Sequence, residues 1–139
     1  MGQFGIGQSV RRKEDFRLLE GKGQYADDYH RPGEAHAFFL RSPHAHAKLG
    51  KIRLDAARAA PGVLGVYTFA DIEAAKLGTI KCMAPIKNAD GSPPFNPGRT
   101  LLASDRVRHV GEPVAMVVAE TLAQARDAAE LIEVRYDPL

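Results

Sequence analysis

Read as a string of apolar and polar positions, the chain changes character several times. Residues 1–33 alternate glycine and charge, with scattered apolar anchors at Phe4, Ile6, Val10, Phe16, Leu18, Leu19 and Tyr25. That pattern predicts an arm lying along another surface, not a core of its own. Glu34 to Arg41, EAHAFFLR, is short and aromatic and sits between Pro-Gly and Ser-Pro, which predicts a strand. Leu49 to Leu54 predicts a second, with Ile52 and Leu54 facing one way and Lys51 and Arg53 the other. Asp55 is placed to cap a short helix, AARAA, that Pro61-Gly62 stops. Val63 to Thr68 returns as a strand. Thr68-Phe69-Ala70-Asp71 then has the form of a capping box for a helix running to Leu77, with Gly78 as its stop.

From Thr79 to Asp105 the pattern dissolves into Pro, Gly and Asn, including the string ADGSPPFNPG. A stretch of that length without periodicity reads as a functional or partner-binding loop. Its apolar residues Ile80, Met83, Ile86 and Phe95 are expected to stay outside the domain's own core. Order returns with PVAMVVA at Pro113 to Ala119, a continuous apolar run of the kind covered on both faces. Thr121 to Gln124 forms a second capping box, and Leu122, Ala125, Ala129 and Ile132 recur at helical spacing as a buried stripe. Glu133 to Tyr136 closes as a strand with Val134 and Tyr136 on one face. The order β-β-α-β-α, loop, β-α-β predicts an α+β domain at residues 34–139, one mixed β-sheet packed by a few helices. Its last β-α-β reads as a right-handed parallel crossover.

Composition narrows the function classes. The 139 residues are 45% hydrophobic and 26% charged, the balance of a globular domain. Nineteen Lys and Arg against 17 Asp and Glu leave a formal charge of +2, too little to advertise nucleic acid. No apolar run approaches the ~20 residues of a membrane span, so none is expected. The first residues lack the apolar stretch of a secretory signal and carry acidic side chains early, so a cytoplasmic location is the default expectation. A single cysteine excludes an internal disulfide and any multi-thiolate metal centre built from this chain alone.

The residues that could carry chemistry assemble no active site. Gly5-Ile6-Gly7 begins like a dinucleotide fingerprint but has Val10 at the third glycine and no strand before it. His44 and His46 stand two apart, which on an extended chain aims both imidazoles the same way and would suit a metal, completed by His36, Asp27 or Asp28. The plainer reading is a strand-connecting turn stiffened by Pro43, and no metal site is assigned. Cys82 has no nearby base in sequence and reads as a bystander. The basic set Arg11, Arg12, Lys13, Arg17 and Lys22 is interleaved with Glu14, Asp15 and Glu20, the pattern of a salt-bridged segment.

Four strings in order change the picture: GQSVRRKEDFRLLEGKGQYADD, FLRSPHAHAKLGKIRLDAARAAPGVLGVYT, RVRHVGEPVAMVVAET and AQARDAAELIEVRYDPL. Together they resemble the a/b hammerhead domain at the N-terminus of the molybdenum-binding large subunit in the xanthine dehydrogenase and aldehyde oxidase family. The style is that of bacterial carbon monoxide dehydrogenase large chains. The resemblance implies part of an oxidoreductase that adds water-derived oxygen to a carbonyl, a heterocyclic carbon or carbon monoxide in a two-electron oxidation. It implies a molybdopterin cytosine dinucleotide or related molybdenum cofactor in the full subunit, with iron–sulfur clusters and FAD on partner subunits. It places the catalytic glutamate and pterin-binding loops downstream of this domain, so this chain is expected to hold no cofactor and to be inactive by itself. Signature or interface candidates are Arg12, Glu14, Asp15, Arg41, Ser42, Pro43, His44, His46, Gly111, Glu112 and Pro113. Arm 1–33 and loop 79–105 are expected to meet the rest of the enzyme. The competing reading is a free-standing interaction or scaffold domain of the same shape, and the reading frame after Leu139 discriminates the two.

Overall fold

The computed structural model describes residues 12–81, 83–84 and 86–139. Gly5, Gly7 and Val10, with Arg11 and Cys82, lie outside the described residues. The chain divides into two units, Met1–Glu34 and Ala35–Leu139.

In the first unit, helix α1 (Asp15–Leu19) has no counterpart in the sequence pattern. It ends in a Schellman motif: the amides of Gly21 and Lys22 donate to the carbonyls of Leu18 (3.1 Å) and Arg17 (2.9 Å), with Gly21 left-handed at φ 70°. Gly21-Lys22-Gly23 is thus the turn expected before Tyr25. A single 3-10 turn follows at Ala26–Asp28, where the Asp28 carboxylate accepts the Tyr25 amide at 2.8 Å.

The second unit is α+β, built from strands β1 (His36–Arg41), β2 (Ala47–Arg53), β3 (Val63–Tyr67), β4 (Arg106–Val107), β5 (Pro113–Ala119) and β6 (Glu133–Pro138). Its helices are α2 (Asp55–Arg58), α3 (Phe69–Ala74) and α4 (Leu122–Glu130). The expected single mixed sheet is instead two three-stranded antiparallel sheets, ordered β1-β5-β3 and β4-β2-β6. The expected parallel crossover is absent because β5 and β6 belong to different sheets, so α4 hands the chain from one sheet to the other. The handedness rule applies only within one sheet.

The two sheets meet at an irregularity in β5. Leu40 pairs with Ala115 and Arg41 with Pro113, so Val114 is an extra residue, a β-bulge. The bulge turns adjacent side chains into different cores. Ala115, Val117 and Ala119 join the cluster under α4, whereas Val114 packs with Ala47, Ala103 and Val107. Ile52 and Val134 touch both clusters and join them. The run expected to be covered on both faces is therefore the central strand of one sheet and a wall of the second core.

Local rules fix most of the helices. Thr121 Oγ1 accepts the Gln124 amide at 3.2 Å to open α4. Ala125, Ala128 and Ala129 form its buried stripe, continued by Ile132 just after the helix, whereas Leu122, expected in that stripe, is the first residue of the helix and is 41% exposed. The Asp71 carboxylate accepts both the amide (2.7 Å) and the hydroxyl (3.1 Å) of Thr68, the expected box for α3. That helix stops at Ala74, short of the expected Leu77, and its left-handed terminator is Lys76, not Gly78. Asp55 is the first residue of α2 and Leu54 occupies the cap position, so the expected aspartate cap is not made. Gly62 does take the left-handed turn, at φ 74°. Within the 79–105 stretch, Ile80, Met83, Ile86 and Phe95 are exposed, as expected, but Leu102 and Ala103 are buried, because the Ala103 amide donates to the Pro113 carbonyl at 2.8 Å and docks this end on β5.

Candidate functional site

The fold brings two of the signature strings into direct contact across 70 residues of chain. Where β1 ends, the Ser42 amide donates to the Glu112 carbonyl (2.9 Å), and the Gly111 amide donates back to the Ser42 carbonyl (2.8 Å). The Arg41 guanidinium donates to the Gly111 carbonyl at 2.9 Å. The backbone of Arg-Ser is thus stitched to that of Gly-Glu-Pro, which continues the β1–β5 ladder past its bulge.

Each residue of the Gly-Glu-Pro turn has a physical task. The Glu112 amide donates to the His109 carbonyl at 3.2 Å, closing a four-residue turn whose third position needs positive φ, and Gly111 supplies it at 85°. The Glu112 carboxylate accepts the Arg108 amide and lies 3.8 Å from the Arg108 guanidinium and 3.7 Å from His109 Nδ1. One acidic side chain thereby fastens both arms of the turn. Pro113 starts the strand where no amide is required, and its carbonyl receives Ala103.

On the other side, Ser42 is 2% exposed, and its hydroxyl both accepts the His44 amide and donates to the His44 carbonyl, each at 3.0 Å. Pro43 is exposed beside it. The His44 ring lies 4.8 Å from the Tyr136 ring, tilted by 44°. Burial pushes the Tyr136 phenol above its ordinary value, opposed by hydrogen bonding with the Ser42 side chain. The His46 carbonyl receives the Leu139 amide at 3.1 Å and its side chain is exposed. The chain bends at residues 45–46 and turns extended only at Ala47, so the same-side imidazole geometry of an extended His-x-His does not apply. Among the described residues, no group of three or more His, Cys, Asp or Glu converges in a way that could hold a metal ion.

Beside this junction lies a cleft of about 510 Å³, walled by Arg108, His109, Glu112 and Pro113 on one side and by Ile80 and Arg99 on the other. The Ile80 and Arg99 backbones are paired, at 2.8 and 2.9 Å, which gives the irregular stretch one fixed bridge. The basic cluster at its edge was not singled out in the sequence. Arg106 Nε donates to Asp105 at 2.8 Å and Arg108 reaches the other oxygen at 3.3 Å, so Arg106 first of all holds the Asp105 carboxyl down at about 2. The alternation Asp-Arg-Val-Arg is the signal that would have located it. Arg12, Glu14 and Asp15 lie in the first unit, all at the start of α1: the Arg12 carbonyl receives the Asp15 amide at 3.3 Å, and Glu14 pairs with Arg17 at 3.2 Å.

Comparison with known proteins places this geometry. Residues 20–139 match the family described as aldehyde oxidase and xanthine dehydrogenase, a/b hammerhead domain. The nicotine 6-hydroxylase large subunit of Paenarthrobacter nicotinovorans is 44% identical over 96% of this chain and 16% of its own length. The carbon monoxide dehydrogenase large chain of Afipia carboxidovorans is 38% identical over 97% of this chain and 15% of its own length. The crystal structure of quinoline 2-oxidoreductase from Pseudomonas putida 86 superposes with a TM-score of 0.82 at 42% identity, over 96% of this chain and 16% of that one. The chain therefore spans about one-sixth of the length of these relatives.

Proposed function

Because the chain belongs to the a/b hammerhead domain family of aldehyde oxidase and xanthine dehydrogenase, we propose that it is the N-terminal, non-catalytic domain of a molybdenum hydroxylase large subunit. The observation that carries this reading is the match of nearly the whole chain to one-sixth or so of large chains such as that of carbon monoxide dehydrogenase. The complete enzyme is an oxidoreductase of the carbon monoxide, aldehyde or xanthine dehydrogenase type, working in the cytoplasm. Its molybdenum cofactor, molybdopterin cytosine dinucleotide or a close relative, would supply the two-electron oxidation. Among the described residues no cluster of His, Cys, Asp or Glu is placed to hold a metal, and no step is assigned to residues of this chain. Iron–sulfur and FAD subunits complete the assembly.

Within it, this chain's residues hold shape. Arg41, Ser42, Gly111, Glu112 and Pro113 lock the end of β1 to the start of β5, and Pro43, His44 and His46 are presented beside that lock. The arm with Arg12, Glu14 and Asp15 and the exposed apolar residues of loop 79–105 meet the rest of the enzyme. The test is to purify, from its natural source, the polypeptide that contains these 139 residues and measure molybdenum, iron and flavin with it. Stoichiometric molybdenum in a longer polypeptide supports the reading. A polypeptide of this size free of molybdenum and of companion subunits would replace it with the scaffold reading.

A further inference from the structure

Each of the two three-stranded sheets has one face turned to a core and one turned away from it. On the β4-β2-β6 sheet, the outward side chains are charged: Lys48, Lys51 and Arg53 from β2, Glu133, Arg135 and Asp137 from β6. They pair across and along strands, Arg53 with Glu133 at 2.9 Å and Arg135 with Asp137 at 3.2 Å, and the stem of Arg135 lies over Gly50. This is the ordinary treatment of a sheet face left to water.

The β1-β5-β3 sheet breaks that rule. One face is covered by α4. Its other face presents Ala37 and Phe39 from β1, Met116 and Val118 from β5, and Gly65 and Tyr67 from β3. Register sets them in two apolar rows, Phe39-Met116-Tyr67 and Ala37-Val118-Gly65, with the Tyr67 ring folded over Gly65. Phe39 and Tyr67 are 38% and 39% exposed, and the neighbouring Leu64 is 59% exposed. At one edge Arg41 is turned to the Gly111 carbonyl, and at the other Arg58 and Asp71 line a shallow hollow with Leu64, Gly65 and Tyr67. A contiguous apolar face of this kind marks a surface that another surface covers.

We propose that the open face of the β1-β5-β3 sheet is a docking surface and that its occupant is the remainder of the same polypeptide. This rests on the large-subunit reading above. The choice of occupant follows from length: relatives 38–44% identical across nearly all of this chain continue it within polypeptides about six times longer. An intramolecular neighbour is present at high effective concentration and needs no charged rim for steering.

The test uses two measurements on the 139-residue chain and on the large subunit encoded with it. Under limited peroxide, Met116 should form sulfoxide about tenfold more slowly in the large subunit than in the short chain, since susceptibility follows exposure. Equal rates overturn the proposal. The double variant Phe39→Glu, Met116→Lys places opposite charges on directly paired residues. It should leave the melting temperature of the short chain within about 3 °C and cut the yield of assembled, molybdenum-loaded subunit about tenfold. A variant subunit that assembles like the natural one overturns the proposal. If the short variant does not fold, the Met116 rates decide. Should the short chain dimerise, the variant abolish that, and Met116 react equally fast in both forms, the occupant is a second copy and the proposal fails. Failure of the large-subunit reading is separate: it shows as the absence of any longer molybdenum-bearing polypeptide.

Discussion

Lys76 holds, after α3, the left-handed position that Gly21 holds after α1. Both helices end in the same pair of bonds: after α3, the Lys76 amide donates to the Glu73 carbonyl at 2.9 Å and the Leu77 amide to that of Ile72 at 3.1 Å. Lys76 sits at φ 53°, where a side chain with a Cβ is strained and glycine is not. Lys76→Gly is expected to stabilise the fold by about 1 kcal/mol, read as a rise in urea midpoint at unchanged slope.

Val117 lies fully buried at the centre of the β1-β5-β3 sheet, opposite Phe38 and Val66. Val117→Asp would bury an unpaired carboxylate and should leave the domain unfolded, seen as loss of the cooperative melt. Val117→Ala, by comparison, should fold and lose roughly 2 kcal/mol.

Ser42 is the buried polar residue of the junction. Ser42→Ala removes the acceptor of the partly buried His44 amide and should cost roughly 1 kcal/mol in denaturant titration. The same change relieves the hydrogen bonding that opposes the rise of the Tyr136 phenol, so the Tyr136 titration followed by ultraviolet absorbance should move further up.

Asp105, held at about 2 by Arg106 against an ordinary value of 3.8, makes part of the stability dependent on acid. A carboxyl whose folded value is depressed contributes fully above its unfolded value and loses that contribution as pH falls towards the folded one. Stability should therefore decline between about pH 4 and pH 2, and Asp105→Asn should flatten that part of the profile. The carboxyl is at the surface, so the slope should also shrink in high salt.

Much of the local structure was legible in the sequence. The capping box at Thr68, the Thr121 cap (made by its hydroxyl without the reciprocal Gln124 bond of a full box) and the run at Pro113 to Ala119 each declare themselves within a few residues. The partition into two sheets does not, because it depends on where a bulge drops Val114 out of register, and side-chain alternation carries no record of a partner strand. Strand β4 is two residues long and has no period to detect. Leu102 and Ala103 are buried only through bonds to β5, a relationship invisible from their Gly- and Pro-rich surroundings. The candidate site shows the same division: both strings stood out by their residues, but apart from the Arg41 guanidinium their contact is made by backbone groups, which every sequence has alike.

The pairing of the strands also governs when the domain can form. β1, β2 and β3 follow one another in the chain, yet none pairs with another; β1 and β3 wait for β5, and β2 waits for β4 and β6. These three strands form no hairpin among themselves, so a growing chain carries Phe38, Leu40 and Val66 unpaired until residues 113–119 have been made, and Ile52 until Val134 follows. Such long-range closure is slow and comes late. A ribosome that pauses before β5 would hold an adhesive, sheet-less polypeptide, and this stretch of synthesis is where a chaperone would have to wait beside it.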